Sequence, residues 1–252
     1  MFVKFKQMLC LAAMLIVATT AMLGVQAKAA DMDRQQVEKI IHDYLMENPE
    51  VITKALNELE NRRVAQQEQA RKEALVEMRD TLENSKYQVV LGNPKGDVTL
   101  VEFFDYNCGY CRRSLADMMK LMEDDGNLRI VLKEFPVLGQ ASMQAAQVAI
   151  ALNEVAPEKY EDFHIAMLSS KERATKESAM RIVKDLGVDM NKIEDELKSD
   201  STRNTLQEVF TMAEKLSING TPSYVIGDEV AIGAVGVDSL KEIIAQTRAQ
   251  KN

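Results

Sequence analysis

Histidine and cysteine are scarce in this sequence, which has two histidines and three cysteines among its 252 residues. A zinc site in a protein needs about four ligands, most of them from these two residue types and at close spacing. His42 and His164 lie far from each other and from the cysteines at 108 and 111, and one cysteine pair supplies only two ligands. The sequence therefore predicts no metal site.

Basic residues are also fewer than acidic ones, with 31 lysines and arginines against 39 aspartates and glutamates and a formal net charge of −8. A surface with this excess of negative charge repels the phosphate backbone of nucleic acids and the headgroups of an anionic bilayer. We therefore expect neither nucleic acid nor an anionic lipid surface as a partner.

Long apolar runs are absent except near the start of the chain, from Met8 to about Val25, where two lysines precede the run. Ala27-Lys28-Ala29 follows it and has the small-residue pattern of a signal-peptidase site. We interpret residues 1–29 as a signal peptide for export; the alternative is a retained N-terminal membrane anchor. Cleavage would remove Cys10 and three lysines and would change the formal net charge from −8 to −11.

Glycine is absent from residues 31–82, where no strand pattern occurs either. Asp31 and Asp33 can cap a first helix, and Asn48-Pro49 separates it from a second one. Apolar residues recur at helical spacing along one side of both helices: Val37, Ile40, Ile41, Tyr44, Leu45, Val51, Ile52, Ala55, Leu56 and Leu59. Two helices cannot bury this face alone. We predict that residues 31–82 join copies of the chain into a dimer or trimer; the alternative is that they fold onto their own domain.

A Cys-x-x-Cys pair, Cys108-Gly109-Tyr110-Cys111, follows an apolar run at residues 98–104. The run is rich in β-branched and aromatic residues, which predicts a strand buried on both faces, and the residues after Cys108 have helical spacing. Free N–H groups and the helix dipole stabilise a thiolate at such a junction. We predict Cys108 as the nucleophile and Cys111 as the resolving thiol. A structural disulfide is the weaker alternative, since so short a ring restrains the unfolded chain little.

The remaining pattern predicts a mixed α/β fold. A strand at 128–135 follows the cysteine helix, so it should lie parallel to the strand at 98–104. A long helical region follows from about residue 139. The chain returns to β structure after Thr221-Pro222, where Gly227-Asp228 predicts a hairpin turn, and a last helix covers about 238–247.

Glu102 is an acidic residue in the middle of the apolar strand. A buried carboxylate is unfavourable unless it is paired or protonated, so we expect its pKa to be raised. Lys133, on the neighbouring strand, is the predicted partner; the alternative places Glu102 at a strand edge facing water. We expect His164 to be a packed helix residue and not a catalytic one.

This order of elements resembles the DsbA-like family of thiol-disulfide oxidoreductases in the thioredoxin superfamily. The resemblance depends on Glu102-Phe103-Phe104, the Cys-Gly-Tyr-Cys site, Thr221-Pro222 and the helical segment between the two parts of the sheet. It implies an α/β thioredoxin fold in residues 85–252, with a helical insertion at about 139–200, preceded by a helical extension in residues 30–84.

The resemblance also implies roles for the site residues. The Thr221-Pro222 bond would be cis and would bind a substrate polypeptide beside the sulfurs, together with Gly109 and Tyr110. Glu102 would exchange a proton with Cys111. The redox-active disulfide between Cys108 and Cys111 would be the reactive group, with no other cofactor.

Gly109-Tyr110 and the N-terminal extension are similar to the ScsC (suppressor of copper sensitivity) group of this family. That similarity implies a periplasmic, oligomeric disulfide isomerase or reductase that acts on secreted proteins with cysteines and is kept reduced by a DsbD-type membrane partner. One alternative is a DsbA-like dithiol oxidase served by a DsbB-type membrane oxidant. The other is a non-catalytic surface or copper-binding protein.

Overall fold

The computed structural model describes residues 33–250, so the predicted signal peptide and Cys10 lie outside the described part. The described residues divide into two compact units, with the boundary between Arg62 and Arg63. Between residues 33 and 250, no helix is both long enough and apolar enough to cross a membrane.

Two helices begin the described chain, as predicted. Helix α1 (Arg34–Glu47) starts after Asp33, whose carboxylate accepts a hydrogen bond from the Gln36 N–H at 3.0 Å. Helix α2 (Glu50–Asn84) follows Pro49. Within the first unit, the predicted apolar face is present and exposed: Val37, Ile40, Ile41, Tyr44, Ile52, Leu56 and Leu59. None of the residues of α1 is buried.

A five-stranded sheet forms the centre of the second unit. Its strands are β1 (Val89–Gly92), β2 (Val98–Phe104), β3 (Leu128–Glu134), β4 (Ser223–Ile226) and β5 (Glu229–Ile232). They lie in the order β1-β3-β2-β4-β5, and only β2 and β3 pair in parallel among these strands. Helix α3 (Gly109–Asp124) connects this parallel pair. The predicted crossover and the hairpin at Gly227-Asp228 are both confirmed.

Helices fill the chain between β3 and β4, and one more ends the described part. They are α4 (Gln140–Val155), α5 (Tyr160–Ser169), α6 (Lys176–Asp185), α7 (Met190–Glu196), α8 (Asp200–Lys215) and α9 (Val237–Gln250). A short 3₁₀ turn at Pro157–Lys159 precedes α5. The architecture is a thioredoxin fold with a helical insertion, as the resemblance implied.

The two faces of the sheet belong to two different cores. One core combines even-numbered residues of β2 with side chains from α3, α9 and the insertion: Leu100, Phe104, Cys111, Met118, Tyr224 and Leu240. The other combines odd-numbered residues of β2 with the end of α2 and with α8: Leu75, Met78, Leu82, Val101, Phe103, Val209 and Met212. Part of the predicted extension, residues 74–82, is therefore covered by the sheet of its own chain.

Candidate active site

Cys108 lies at the point where β2 gives way to α3. Every residue of β2 is buried, so the strand fixes the start of the following loop. The Cys108 N–H donates to the Asp105 carbonyl at 2.9 Å, and α3 begins at the next residue, Gly109. The predicted position of Cys108 at a helix N-terminus is confirmed. Its side chain is 6% exposed, which leaves the sulfur at the edge of the core.

The surroundings of Cys108 favour its thiolate. The Cys111 thiol donates a hydrogen bond to it, as do the Thr221 hydroxyl and the backbone N–H groups of Cys111 and Tyr110. Partial burial opposes ionisation but is outweighed, and the pKa of Cys108 falls from 9.0 to about 5. Helix N-terminal N–H groups and a neighbouring thiol are the usual causes of an acidic cysteine. Cys108 is therefore ionised at neutral pH.

Cys111 has the opposite character. It is fully buried, and its hydrogen bond to Cys108, its burial and the charge of Glu102 all raise its pKa above the ordinary value. The Asp105 N–H donates to it and opposes this effect. Both cysteines are free thiols in the structure. The site thus places one ionised thiol at the edge of the core beside one fully buried, protonated thiol.

The Thr221-Pro222 peptide bond is cis and lies against the active-site sulfur. The Cys108 thiol is 3.1 Å from the Thr221 carbonyl oxygen, to which it donates while it is protonated. The conformation that the resemblance implied is confirmed. Tyr110 is 59% exposed, and the Arg113 guanidinium lies over its ring at 4.3 Å. Thr221, Pro222, Gly109 and Tyr110 therefore surround the nucleophile, while their predicted role in binding substrate stays a prediction.

Glu102 is 4% exposed in the middle of β2, as expected for a buried acid. Burial, the Asp117 charge and the Cys108 charge raise the pKa of Glu102 from 4.5 to about 8. The predicted pairing with Lys133 is wrong. Lys133 pairs in register with Phe103, so its side chain leaves the opposite face of the sheet. There its ammonium group donates to the Thr81 carbonyl at 3.2 Å and to Gln88 Oε1 at 3.1 Å.

Sequence reasoning missed two side chains that flank the cysteines. The Asn107 amide donates to the Ala174 carbonyl at 2.9 Å and accepts from the Ala174 N–H at 2.9 Å. The Arg112 guanidinium donates to the carbonyl oxygens of Tyr106, Ser170 and Glu172. Both residues thereby attach the active-site loop to residues 170–174, which connect α5 and α6. Within residues 170–174 the partners are main-chain groups, so the side chains of those residues gave no signal.

A second buried polar cluster lies at the end of β3. The hydroxyls of Tyr106 and Tyr160 donate to Glu134 Oε1, and the other carboxyl oxygen of Glu134 has no partner among the described residues. Burial raises the pKa of Glu134 to about 8 and lowers the pKa of His164 to about 3. His164 is 1% exposed in α5, stacked on Tyr160, which confirms a packed residue.

An acidic thiol at a helix N-terminus, a buried second thiol three residues later, a cis-proline loop against the sulfur and a buried acid define one class of protein. It is the thioredoxin-fold disulfide oxidoreductases, which exchange thiols and disulfides by nucleophilic attack of the first cysteine.

Comparison with known proteins agrees with that class. The chain belongs to the thioredoxin family, whose model matches residues 83–246, and residues 33–66 match the copper resistance protein ScsC N-terminal domain. It is a disulfide oxidoreductase of the DsbA-like and ScsC-like kind. The disulfide bond formation protein D of Bacillus subtilis is 26% identical over 169 residues, which are 63% of this chain and 76% of that protein.

Two solved structures of thioredoxin-like and ScsC proteins are also similar to this chain. A thioredoxin-like oxidoreductase from Silicibacter pomeroyi is 38% identical with a TM-score of 0.65, over 69% of this chain and 98% of that one. A linker-deletion mutant of Proteus mirabilis ScsC is 27% identical with a TM-score of 0.66, over 88% of this chain and 100% of that one. The second alignment covers a larger share of the chain than the first, 88% against 69%.

Proposed function

We propose that this chain is a periplasmic, oligomeric disulfide isomerase or reductase that acts on secreted proteins with cysteines. The observation that carries the exchange chemistry is the Cys108 thiolate beside the cis Thr221-Pro222 bond, with a pKa of about 5. The predicted signal peptide supports the location. The match of residues 33–66 to the ScsC N-terminal domain supports the assembly.

The mechanism uses both thiols in turn. The Cys108 thiolate attacks one sulfur of a substrate disulfide, and the other substrate sulfur leaves as a thiolate. The mixed disulfide is then resolved by a thiol of the substrate, which isomerises it, or by Cys111, which reduces it. Resolution by Cys111 requires that its proton leaves. The acceptor in this proposal is the ionised form of Glu102, which is a minority at neutral pH because burial raises the pKa of Glu102 to about 8. The resulting Cys108–Cys111 disulfide needs a DsbD-type membrane reductant to restore the thiols.

Thr221 and Pro222 supply the surface that receives the substrate. Proline has no N–H, so the loop leaves the backbone of Thr221 available to pair with an extended polypeptide beside Cys108. Tyr110 is exposed enough to contact the same chain.

Oligomerisation rests on the exposed apolar face of the first unit. Ile40, Ile41, Tyr44, Leu56 and Leu59 are each more than half exposed, at 52–65%. Such a face on a helix pair is typical of an association surface, and a second copy offers the same face in return. Several active sites around one substrate raise the effective concentration of thiolate at its disulfides.

A second candidate is a DsbA-like dithiol oxidase re-oxidised by a DsbB-type partner. The low pKa of Cys108 favours it, because a stabilised thiolate favours the reduced site and makes its disulfide more oxidising. The Gly109-Tyr110 pair, without a histidine beside the thiolate, favours the isomerase.

Three measurements test the proposal. Cys111→Ser should trap mixed disulfides with secreted proteins and Cys108→Ser should not; absence of any trapped species would favour a non-catalytic or copper-binding protein. Refolding of a scrambled-disulfide ribonuclease by reduced protein separates isomerase from oxidase. Light scattering should give a dimer or trimer for the mature chain and a smaller mass for the double variant Ile41→Asp, Leu56→Asp. An unchanged mass would exclude this face as the interface.

A further inference from the structure

Two polar residues of α3 beyond Cys111 have no role in the exchange steps described above. Ser114 and Asp117 follow Cys111 on α3 at intervals of three residues, which places all three along one side of the helix. Cys111 and Ser114 are buried, whereas Asp117 is half-buried and reaches the surface. The side of α3 that carries the resolving thiol thus has a polar line that leads from the core to solvent.

The sheet supplies the other half of this cluster. Glu102 of β2 lies opposite Tyr224 of β4 in the antiparallel register, so both side chains project from the same face. That face is the one covered by α3, since Tyr224 and Cys111 belong to one core. The Ser114 side chain also lowers the pKa of Tyr224, so β4 and the polar line on α3 interact. The Ser114 hydroxyl in turn donates to the Cys111 carbonyl at 3.1 Å.

The charges in the cluster act on one another. The groups that face Glu102 are Cys108, Cys111 and Asp117 from α3 and Tyr224 from β4. The Asp117 charge is the largest influence on the pKa of Glu102 after burial, and it also raises the pKa of Tyr224. The cation predicted beside Glu102 lies on the other face of the sheet. Its charged neighbour is instead a second carboxylate, which favours retention of a proton at Glu102.

A buried proton acceptor needs a route to water, because it must be reset in each cycle. Glu102 is 4% exposed and cannot exchange a proton with bulk solvent directly. We propose that Asp117 is a positioning residue of the proton path, through which Glu102 delivers to water the proton that it takes from Cys111. The inference deepens the proposed function and depends on it.

The step balances as follows. In the minor population of the protein in which Glu102 is ionised, its carboxylate takes the proton of the Cys111 thiol, and the Cys111 thiolate attacks the Cys108 sulfur of the mixed disulfide. The bond between Cys108 and the substrate sulfur breaks, the substrate thiolate leaves, and the two cysteines are oxidised to a disulfide while the substrate sulfur is reduced. Glu102 then passes the proton to Asp117, which releases it to water.

Stopped-flow reaction with dithiobis-nitrobenzoate tests this path in the full mature protein. Cys108 releases a first thionitrobenzoate when it attacks the reagent, and Cys111 releases a second when it resolves the mixed disulfide. Asp117→Asn should slow the second phase by about tenfold at pH 7. This is less than the roughly 10²- to 10⁴-fold effect of a direct general acid or base, because Asp117 acts through Glu102. The first phase should keep its rate and pH dependence.

Matched variants distinguish proton transfer from a change in packing. Asp117→Glu should restore the second phase, and added acetate should partly restore it in Asp117→Asn. Glu123→Gln, on an exposed turn of the same helix, should leave both phases unchanged. An unchanged rate of the second phase in Asp117→Asn would overturn the inference, and so would equal slowing of both phases. The inference would also be overturned if neither added acetate nor Asp117→Glu restored the rate of the second phase. Failure of the proposed function would look different: the wild-type protein itself would show no second release.

Discussion

The acidity of Cys108 depends first on its partner thiol, which makes Cys111→Ala an informative change. The hydrogen bond from Cys111 is the largest contribution to the low pKa of Cys108. A hydrogen bond to a charged group contributes about 1.5–3 kcal/mol, and 1.36 kcal/mol corresponds to about one pKa unit. We therefore expect Cys111→Ala to raise the pKa of Cys108 from about 5 to between about 6 and 7. The backbone N–H donors and the Thr221 hydroxyl remain and keep it below 9.0.

The assay is the pH dependence of the thiolate absorbance, together with the rate of alkylation by iodoacetamide. At pH 5 about half of the wild-type Cys108 is ionised, so the variant should be alkylated about 5- to 50-fold more slowly at that pH. Cys111→Ser is the matched control. Its hydroxyl can still donate to the thiolate, and its pKa for Cys108 should stay near that of the wild type.

A pKa of Cys108 that stays near 5 in Cys111→Ala would refute this reasoning. The acidity would then come from the helix N-terminus and Thr221 alone. If Cys111→Ala and Cys111→Ser raised the pKa of Cys108 by the same amount, Cys111 would act through its sulfur and not as a hydrogen-bond donor.

Three further changes test other parts of the structure. Glu102 keeps its proton up to a pKa of about 8 in the fold but loses it near 4.5 in the unfolded chain, so stability falls as the pH rises between these values. Glu102→Gln should remove this pH dependence of stability and should raise the free energy of unfolding of the reduced protein by about 3 kcal/mol at pH 7. Urea unfolding at pH 5 and pH 7 measures the effect. An equal increase in the free energy of unfolding at both pH values would contradict the prediction. Lys133→Met leaves the Thr81 carbonyl and Gln88 Oε1 without their donor, so it should cost about 1–3 kcal/mol and speed amide exchange at residues 74–84; unchanged exchange there would show that Lys133 does not hold the end of α2. Asn107→Ala breaks the pairing with Ala174 and should speed amide exchange at residues 170–174, while Asn93→Ala, in a distant turn, should not.

The backbone of the site could be predicted because local patterns determine it. Residues 98–104 are apolar at every position but two, which is typical of a strand buried on both faces, and the helical spacing after Cys108 fixes the junction. Gly227-Asp228 specifies a two-residue turn in the same local way. These features depend on residues close together in sequence.

The pairing of Glu102 could not be predicted in this way. The two strands were assigned correctly, but the register places Phe103, and not Glu102, opposite Lys133. A shift of one residue moves a side chain to the other face of the sheet, and nothing in either strand's composition fixes the register to that accuracy. The proximity of Asp117 and Tyr224 to Glu102 could not be predicted either, because Asp117 lies on α3 and Tyr224 on β4, and the sequence does not determine how these elements pack on β2.

Asn107 and Arg112 hold residues 170–174 by main-chain groups alone. Every amino acid offers the same carbonyl oxygen, so this attachment places no demand on the identity of Lys171, Glu172 or Arg173, whose side chains are exposed. The charge of the surface beside the active-site loop can therefore be redesigned, or can drift in evolution, without disturbing the cysteines.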